Sequence, residues 1–471
     1  MMGLLFFCAC LLLQTAAVLL ALAAPRLPLP TALSWFVATF AIGACLALFG
    51  RRFGRGVLII AIPLSVLSAY ALQQRLWPPP LTEVRVLRLH EDAVAREQLG
   101  PWLKTLLPLQ SDSIRFCSAT PRRLLPALSL QVAQGIELTV VADAVADVRA
   151  LTFDDQGRLW LSQTALGRVL CLSDSDADGW YDRRRLVVDG LDRPMGLCWQ
   201  DGRMLLATAT DVVRLPRGGA PLQALGLKLP RAAAGEYRPL LSPSGRTLYL
   251  PVAGIGVQPP LTDWRLGTLL RIDLPATAAA PAELHAVGLH QCGGLAWHPL
   301  RNEVWATEVA PPRLDFTRLP NEVNVVRPQA DYGWPFCFGR QQPDVTWGTT
   351  AVCQQTVAPL LQLPPALLPT ALQFGSSLAA PAPLRAMLYL VVQGQGDDGP
   401  AGSYRLLGVP LDEAGQPLGW GIDLVRGWHN GRRLQGLPTA LAIGPDGALY
   451  LGDALAGLVY RLRFVPDAND G

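Results

Sequence analysis

ALAIGPDGALYLGD, residues 440–453, is the clearest copy of a pattern that occurs six times along the chain. Each copy places apolar segments on both sides of a turn that is built from Asp, Pro, Ser or Gly. These turn residues preset φ or tolerate positive φ, and alternating apolar residues suit a half-buried strand, so each copy predicts a β-hairpin. The other copies are LTFDDQGRLWLS (151–162), GLCWQDGRMLLAT (196–208), PLLSPSGRTLYLPV (239–252), GLAWHPLRNEVWATE (294–308) and ALQF with LRAMLYLVV (371–392).

A further apolar strand follows most of the hairpins, and the repeats are about 45 to 75 residues long. One such unit cannot bury both of its faces, so the units are expected to close radially. Helical periodicity is nearly absent from this part of the chain. The sequence therefore predicts an all-β fold, a six-bladed β-propeller over residues 126–466, with a short tail at 467–471.

The stretches around the fourth hairpin carry a family resemblance. That hairpin leads into NEVNVVRPQADYGWPFCFG (321–339), and GLDRPMGLCW (190–199) and LPTALAIGPDGALYLGDALAGLVYRL (437–462) fit the same pattern. This succession resembles the soluble glucose dehydrogenase and L-sorbosone dehydrogenase family. The resemblance covers 126–464. It implies that the chain is a six-bladed quinoprotein that oxidises sugars with pyrroloquinoline quinone (PQQ) held over calcium.

The resemblance also implies a histidine base near the head of the third repeat, to accept the hydroxyl proton during sugar oxidation. Here that region reads AAAGEYRPLLSPSG (232–245), which contains no histidine. Tyr237 is a weak substitute, because the phenol has an ordinary pKa of about 10. His290, with Gln291, replaces the cofactor-binding Arg-Asn of the family and is the other candidate base. His290 and Gln291 are both candidate cofactor contacts.

Other cofactor-facing positions have lost their charge. Gln393, Gly394 and Gln395 match a Trp-Asn-Arg cluster of the family, and Leu437 matches a further arginine. PQQ carries three carboxylates, for which arginine offers a permanent bidentate partner that amides lack. The resemblance therefore leaves the family activity open.

Two calcium sites are predicted. The resemblance places backbone carbonyl ligands at Ala310 and Pro311, beside Glu308, and carbonyl ligation depends on backbone shape rather than on side-chain identity. Separately, DSDADGWYD (174–182) matches the first half of a calcium loop through Asp174, Asp176 and Asp178. The closing glutamate of such a loop is replaced by arginine, so an acidic turn without a metal stays an alternative.

Tyr332 and Trp334 lie in the YGWP part of the stretch 321–339. In the family this segment lies near the active face, so both residues are candidate cofactor contacts. The alternative is that Trp334 only braces the loop. Cys337 and Cys353 bracket the polar loop that follows, and we expect them to form a disulfide, as the family pattern also implies.

The first 80 residues are predicted to be a membrane segment, with helices near 3–24, 31–50 and 57–73. The first connecting loop holds one arginine and the next holds three, which predicts a cytoplasmic N-terminus and an extracytoplasmic propeller. A cleaved signal peptide is the alternative. Residues 81–125 are predicted to be a connector.

The remaining chain is nearly neutral. The formal charge of +3 falls to 35 basic against 37 acidic residues once the five arginines of the first 80 residues are set aside. A nucleic-acid partner is therefore not expected, because phosphate binding needs a basic surface.

Two functions follow as expectations. The first is a membrane-anchored, periplasmic, PQQ- and calcium-dependent aldose or sorbosone dehydrogenase that passes electrons to membrane quinone and contacts lipid through its helices. The second is a catalytically degenerate propeller that acts as a binding or scaffold module. A lactonase-like hydrolase that uses a central calcium is a weaker third possibility.

Overall fold

A computed structural model describes residues 128–464 and the backbone of 115–116. The predicted membrane segment, the tail and nearly all of the connector lie outside the described residues, as does Tyr237. No helix within the described range is long and apolar enough to cross a bilayer. The range has gaps at 129, 134, 216–220, 232–237, 255–258, 260, 262, 275–280, 312–318, 366, 395–403, 420 and 431.

Six mainly antiparallel sheets, which we call blades one to six, form the framework of the described residues. Strands are numbered along the chain. Blade one contains β4 (Val148–Phe153), β5 (Leu159–Gln163), β6 (Arg168–Ser173) and β7 (Arg183–Val188). Blade two contains β8 (Gly196–Gln200), β9 (Arg203–Ala207), β10 (Val212–Leu215) and β11 (Gln223–Ala224). Blade three contains β12 (Leu240–Leu241), β13 (Thr247–Val252), β14 (Thr268–Asp273), β15 (Ala282–Val287) and the parallel β19 (Ala330–Asp331).

The other three blades follow the same plan. Blade four contains β16 (Leu295–Trp297), β17 (Val304–Glu308), β18 (Asn321–Val326) and β22 (Leu361–Leu363). Blade five contains β23 (Leu368–Phe374), β24 (Met387–Gln393), β25 (Arg405–Pro410), β26 (Ile422–Arg426) and β2 (Gln131–Val132). Blade six contains β27 (Pro438–Ile443), β28 (Leu449–Asp453), β29 (Leu458–Phe464), β3 (Ile136–Ala142) and β1 (Arg115–Phe116). The predicted six-bladed propeller is confirmed.

Both ends of the described chain build the last blades. β3 pairs antiparallel with β29, and β1 adds in parallel to the outside of β3. β2 pairs with β26 and completes blade five. The ring is therefore closed by hydrogen bonds between residues that are more than 300 positions apart in the chain. β1 lies within the segment that was predicted to be a connector.

The core lies between neighbouring blades. One cluster joins blades two and three through residues such as Leu205 and Leu250, and another joins blades three and four through Leu269 and Ala306. Trp305 is fully buried where blade four meets blade five. Because these apolar faces are covered only when the ring is complete, the packing stabilises the closed ring and fixes the loops at its ends.

The predicted disulfide is confirmed. Cys337 and Cys353 are bonded, and the loop between them holds a hairpin and a short helix, namely β20 (Cys337–Phe338), β21 (Gln342–Pro343) and α1 (Thr350–Cys353). A second short helix, α2 (Ala382–Arg385), lies between β23 and β24. Cys171, Cys198 and Cys292 are free thiols.

We expect the double replacement Cys337→Ser/Cys353→Ser to lower the free energy of unfolding by about 3 kcal/mol, because the bond closes a loop of about 15 residues in the unfolded chain. Urea unfolding under non-reducing conditions measures the change. Cys171→Ser, at a buried free thiol, is the control for the loss of sulfur itself. A double variant no less stable than this control would show that the bond adds no stability.

Candidate functional site

Three segments of blade four meet at one end of the ring. His290 precedes β16, Glu308 ends β17, and Glu322 lies at the start of β18. Because β17 and β18 are antiparallel, Glu308 lies directly opposite Glu322 in the strand register. The register thus places two carboxylates side by side at the end of the blade where His290 also lies.

The two carboxylates share one amide. The Asn324 Nδ2 group donates to Glu308 Oε2 at 3.0 Å and to Glu322 Oε2 at 3.1 Å. Glu308 Oε1 accepts from the backbone N–H of His290 at 2.8 Å, and Glu322 Oε1 accepts from that of Gly339 at 2.7 Å. Glu308, Glu322 and Asn324 are all buried. We call these three side chains the acid corner.

Burial dominates the electrostatics of the acid corner. It raises the pKa of Glu308 well above the usual range, and the neighbouring Glu322 carboxylate raises it further. Burial likewise raises the pKa of Glu322. Two buried carboxylates that face each other cannot both ionise without a compensating charge. The acid corner is therefore either partly protonated or neutralised by a cation.

The donor set fits calcium. Asn324 Oδ1 is buried and has no hydrogen-bond partner in the described part of the protein. A buried oxygen without a partner is rare and points to a missing ligand or water. The carboxylate oxygens of Glu308 and Glu322 are hard donors of the type that calcium prefers, and Asn324 presents its N–H groups to both of them. When bound, calcium would supply the positive charge that lets both carboxylates ionise.

The predicted carbonyl ligands lie just beyond the acid corner. Ala310 and Pro311 follow β17, and the Ala310 N–H donates to Asn321 Oδ1 at 2.9 Å. Asn321 in turn donates to the carbonyls of Pro365 and Leu367, which fixes this backbone against the start of blade five. Ligation through the Ala310 and Pro311 carbonyls stays a prediction.

His290 is buried against the same end of the blade. Its Nδ1 lies 2.8 Å from the Val309 carbonyl, which can only accept, so Nδ1 carries a proton. Its ring packs on Trp334 at 5.4 Å between centroids. Gln291 is half-buried, and its backbone carbonyl accepts a hydrogen bond from the Val309 N–H. Catalysis by His290 stays a prediction.

Tyr332 and Trp334 make bracing contacts. The Tyr332 hydroxyl donates to the Val325 carbonyl at 2.5 Å, and burial raises its pKa to about 12. The Trp334 indole lies over Gly254 and Gly267, where an added Cβ would come within 2.1 Å and 2.3 Å of the ring. Trp334 therefore packs on the backbone of blade three. A cofactor contact through either side chain stays a prediction.

One residue was missed by the sequence reasoning. Arg238 follows Tyr237 directly, and its Nη1 donates to the carbonyls of Thr370 and Thr439 at 2.9 Å each. These contacts join blade three to blades five and six across the central channel. No sequence signal distinguishes this arginine from an exposed one, because its partners are backbone carbonyls of distant blades.

The positions that match cationic groups of the family are neutral where the structure describes them. The Gln393 side chain donates to the Pro438 carbonyl at 2.7 Å, and the backbone N–H of Leu437 donates to Asp453. Gln395 lies outside the described residues. His290, at another matched position, bonds the Val309 carbonyl and packs on Trp334. These positions therefore do not fit a tricarboxylate cofactor such as PQQ.

The acidic loop of blade one brings three carboxylates together. Oxygens of Asp174, Asp176 and Asp182 lie within 4.8 Å of one another. Asp178 is not in this group and instead accepts from the Trp180 N–H. The third carboxylate of the group is therefore Asp182 and not Asp178. A structural calcium in this loop stays a prediction.

Comparisons with known proteins support the fold. A family model described as a domain of unknown function, DUF7133, matches residues 125–216, and no curated protein matches the chain in sequence. The PQQ domain of pyranose dehydrogenase from Coprinopsis cinerea, in its holo form, superposes with a TM-score of 0.63 at 17% identity, over 74% of this chain and 100% of that domain.

Two further structures share the fold. The calcium structure of a Trichoderma reesei enzyme of carbohydrate-active family AA12 gives a TM-score of 0.61 at 16% identity, over 74% of this chain and 99% of that one. A putative oxidoreductase (glucose dehydrogenase) from Thermus thermophilus gives 0.52 at 21% identity, over 69% and 99%. At these identities the likeness is one of fold.

Proposed function

We propose that this chain is a calcium-dependent binding propeller that holds a neutral, sugar-like ligand at the end of the ring that carries His290 and Gln291. The observation that carries the proposal is the acid corner, where the buried carboxylates of Glu308 and Glu322 face each other and suit calcium, while His290 and Gln291 stand beside it in place of arginine and asparagine. Imidazole and amide groups hydrogen-bond hydroxyls well but do not compensate carboxylates. The names of the similar structures, pyranose and glucose dehydrogenase, support the sugar class.

PQQ-dependent oxidation of an aldose or sorbosone is the second candidate. It is favoured by the shared fold and by the acid corner, and Tyr237 or the His290 Nε2 would accept the proton in it. The neutral groups at the matched positions argue against it, because PQQ brings three carboxylates that need cationic partners.

We further propose that the propeller is held at a membrane on its extracytoplasmic side. The apolar runs of the first 80 residues and their arginine distribution support this placement. The Cys337–Cys353 disulfide also supports it, because disulfides persist mainly in oxidising compartments.

Calorimetry on the full-length protein in detergent separates the two candidates. We expect glucose or a related aldose to bind only when calcium is present, and we expect PQQ not to bind at about 100 μM, because affinity for a tricarboxylate requires charge compensation. Gln291→Leu should weaken sugar binding about ten-fold through the loss of one hydrogen-bonding group. Gln156→Leu, at an exposed glutamine in the turn between β4 and β5, is the matched control.

The alternative outcomes are equally specific. Calcium-dependent PQQ binding, with bleaching of the quinone absorbance on adding an aldose, would replace the binding module by the dehydrogenase. If neither sugar nor PQQ binds to the calcium-loaded protein, both candidates are wrong.

A further inference from the structure

Three turns of the ring expose large apolar side chains. They join the second strand to the third strand in blades one, three and six. A single exposed apolar residue is ordinary on a protein surface, but equivalent turns of different blades lie at the same end of the ring, so here the exposed residues share one surface. They are Leu166, which is 48% exposed, Trp264, which is 58% exposed, and Leu455, which is 52% exposed.

Hydrogen bonds place these turns at the end of the ring that carries His290. In each turn the glycine before the third strand accepts from a backbone N–H of the connection between two blades. The pairs are Leu191 with Gly167 at 2.9 Å, Leu289 with Gly267 at 2.9 Å, and Val145 with Gly457 at 3.0 Å. Leu289 directly precedes His290, so the turn of blade three contacts the His290 segment itself. We call this end of the ring the His290 end.

The loop that the Cys337–Cys353 disulfide closes adds to the same surface. The Gly339 N–H of this loop donates to Glu322 of the acid corner, which holds the loop at the His290 end. Asp344 is the acidic residue of this loop and is buried, so the loop exposes no carboxylate. Its exposed large apolar side chains are those of Phe336, Val345 and Val352.

The His290 end has a surplus of positive charge. Among the described residues, four exposed basic side chains of this end form no ion pair, namely Lys228, Arg340, Arg432 and Arg433. The exposed carboxylates of Asp189 and Asp192 are already paired with arginines, which leaves those of Asp331 and the half-buried Asp211. Anionic partners are therefore favoured at this end.

The opposite end has a surplus of negative charge. Its described turns and connections expose Asp155, Asp201, Asp412, Glu413 and the carboxylates of the acidic loop of blade one. These outnumber the exposed arginines of the same turns and connections, which are Arg246, Arg327 and Arg385. Leu300 is 84% exposed at this end, so both ends expose apolar side chains and the charge distinguishes them.

We propose that the His290 end docks on a membrane surface that contains anionic lipid. The proposal rests on the membrane placement proposed above and adds which end of the ring faces the bilayer. Tryptophan, phenylalanine and leucine side chains favour the interfacial layer of a bilayer, and lysine and arginine beside them are attracted to anionic headgroups. Because His290 and Gln291 lie at the docked end, the sugar of the proposed function would be one that the headgroup layer presents, as a glycolipid does.

Fluorescence quenching on the full-length protein in lipid nanodiscs tests the docking. Leu166→Cys and Leu455→Cys, each labelled with a polarity-sensitive fluorophore, are placed in discs of phosphatidylcholine and phosphatidylglycerol that contain nitroxide-labelled lipid. We expect the lipid to quench both labels about two-fold, because side chains of docked turns enter the interfacial layer. Leu300→Cys, at the opposite end, is the matched control and should not be quenched. The wild type, labelled in the same way, gives the background of the native thiols.

The charge contribution is tested in the Leu166→Cys background. Arg432→Gln/Arg433→Gln, or discs of phosphatidylcholine alone, should remove about half of the quenching, because attraction to anionic headgroups is lost. Arg385→Gln, at an exposed arginine of the opposite end, should leave the quenching unchanged. Thermal unfolding checks that each variant is folded.

The outcomes separate the docking from the membrane placement. If the full-length protein does not enter the discs, the placement is wrong and the docking with it. If the protein enters the discs but the label at Leu166→Cys is quenched no more than the label at Leu300→Cys, the placement holds and the docking proposal is overturned, and the His290 end is left for a protein partner.

Discussion

Replacing Trp334 with alanine is expected to lower the free energy of unfolding by about 3–5 kcal/mol, which is typical of deleting a large buried aromatic side chain. Trp334 is only 6% exposed and packs on the ring of His290 and on the backbone at Gly254 and Gly267. Removing the indole would leave a cavity between blades three and four, because the backbone at Gly254 and Gly267 cannot move to fill it. Urea unfolding measures the loss.

The matched control is Trp264→Ala, because Trp264 is 58% exposed on blade three. We expect that change to cost less than about 1 kcal/mol. If Trp334→Ala costs no more than this control, Trp334 does not brace the two blades, and a role as a ligand platform regains support.

A double-mutant cycle tests the contact itself. In the wild-type background, Gly254→Ala would place a Cβ 2.1 Å from the indole and is expected to be strongly destabilising. In the Trp334→Ala background the same methyl enters the space that the indole has vacated. The cost of Gly254→Ala should therefore fall or change sign, which is a coupling typical of residues in direct contact.

The hairpins of the fold could be predicted because their signals are local. In ALAIGPDGALYLGD the Pro445–Gly447 turn and the alternating residues on each side define β27 and β28 without reference to the rest of the chain. Gly447 has a φ of +71°, which is why this turn needs its glycine. Six such signals at repeat spacing are sufficient to predict a propeller.

The strands that complete the outer edges of blades five and six could not be predicted in the same way. β1 and β2 have two residues each and no pattern of their own. They become strands only because blades five and six present open edges to them. Such pairing depends on the assembled ring, so a short segment within a predicted connector carries no local sign of it.

The candidate site was predictable in part. The sequence placed Glu308 beside a calcium position, but it gave no role to Glu322. That Glu322 pairs with Glu308 and shares Asn324 follows from the register of β17 and β18, which a single sequence does not define. The sequence could not decide the role of Trp334, because a tryptophan serves equally well as a buried brace and as a ligand platform.

In the absence of calcium, we expect the free energy of unfolding of the protein to decrease as the pH rises. In the metal-free folded protein, burial raises the pKa values of Glu308 and Glu322, while in the unfolded chain both titrate near about 4.3. Above that pH the folded state binds more protons than the unfolded state, so the free energy of unfolding decreases as the pH rises towards the folded pKa values. The free energy of unfolding that these two carboxyl groups contribute is fully present below about pH 4.

Bound calcium should reverse this trend. It binds the ionised carboxylates, so its affinity and its stabilising effect increase with pH as protons are displaced. The melting temperature is compared between protein in about 1 mM calcium, which saturates a typical extracellular site, and protein in chelator. We expect the difference between the two to be larger at pH 8 than at pH 5. Differential scanning calorimetry at the two pH values measures it.

Glu308→Gln/Glu322→Gln separates the acid corner from every other calcium site. The amides keep the shape but cannot ionise, so the metal-free double variant should be more stable than the metal-free wild type at pH 8, by about 1–3 kcal/mol, and should gain little from calcium. Glu283→Gln, at an exposed glutamate that is paired with Arg271, is the control and should behave as wild type.

If calcium instead stabilises the double variant as much as the wild type, the ion binds elsewhere, and the loop of Asp174, Asp176 and Asp182 is the next candidate. Asp174→Asn would then remove the effect, whereas the acid corner predicts that this change leaves the pH dependence intact. Among the described residues the acid corner combines two carboxylates of raised pKa, so a calcium effect that grows with pH assigns the ion to Glu308 and Glu322.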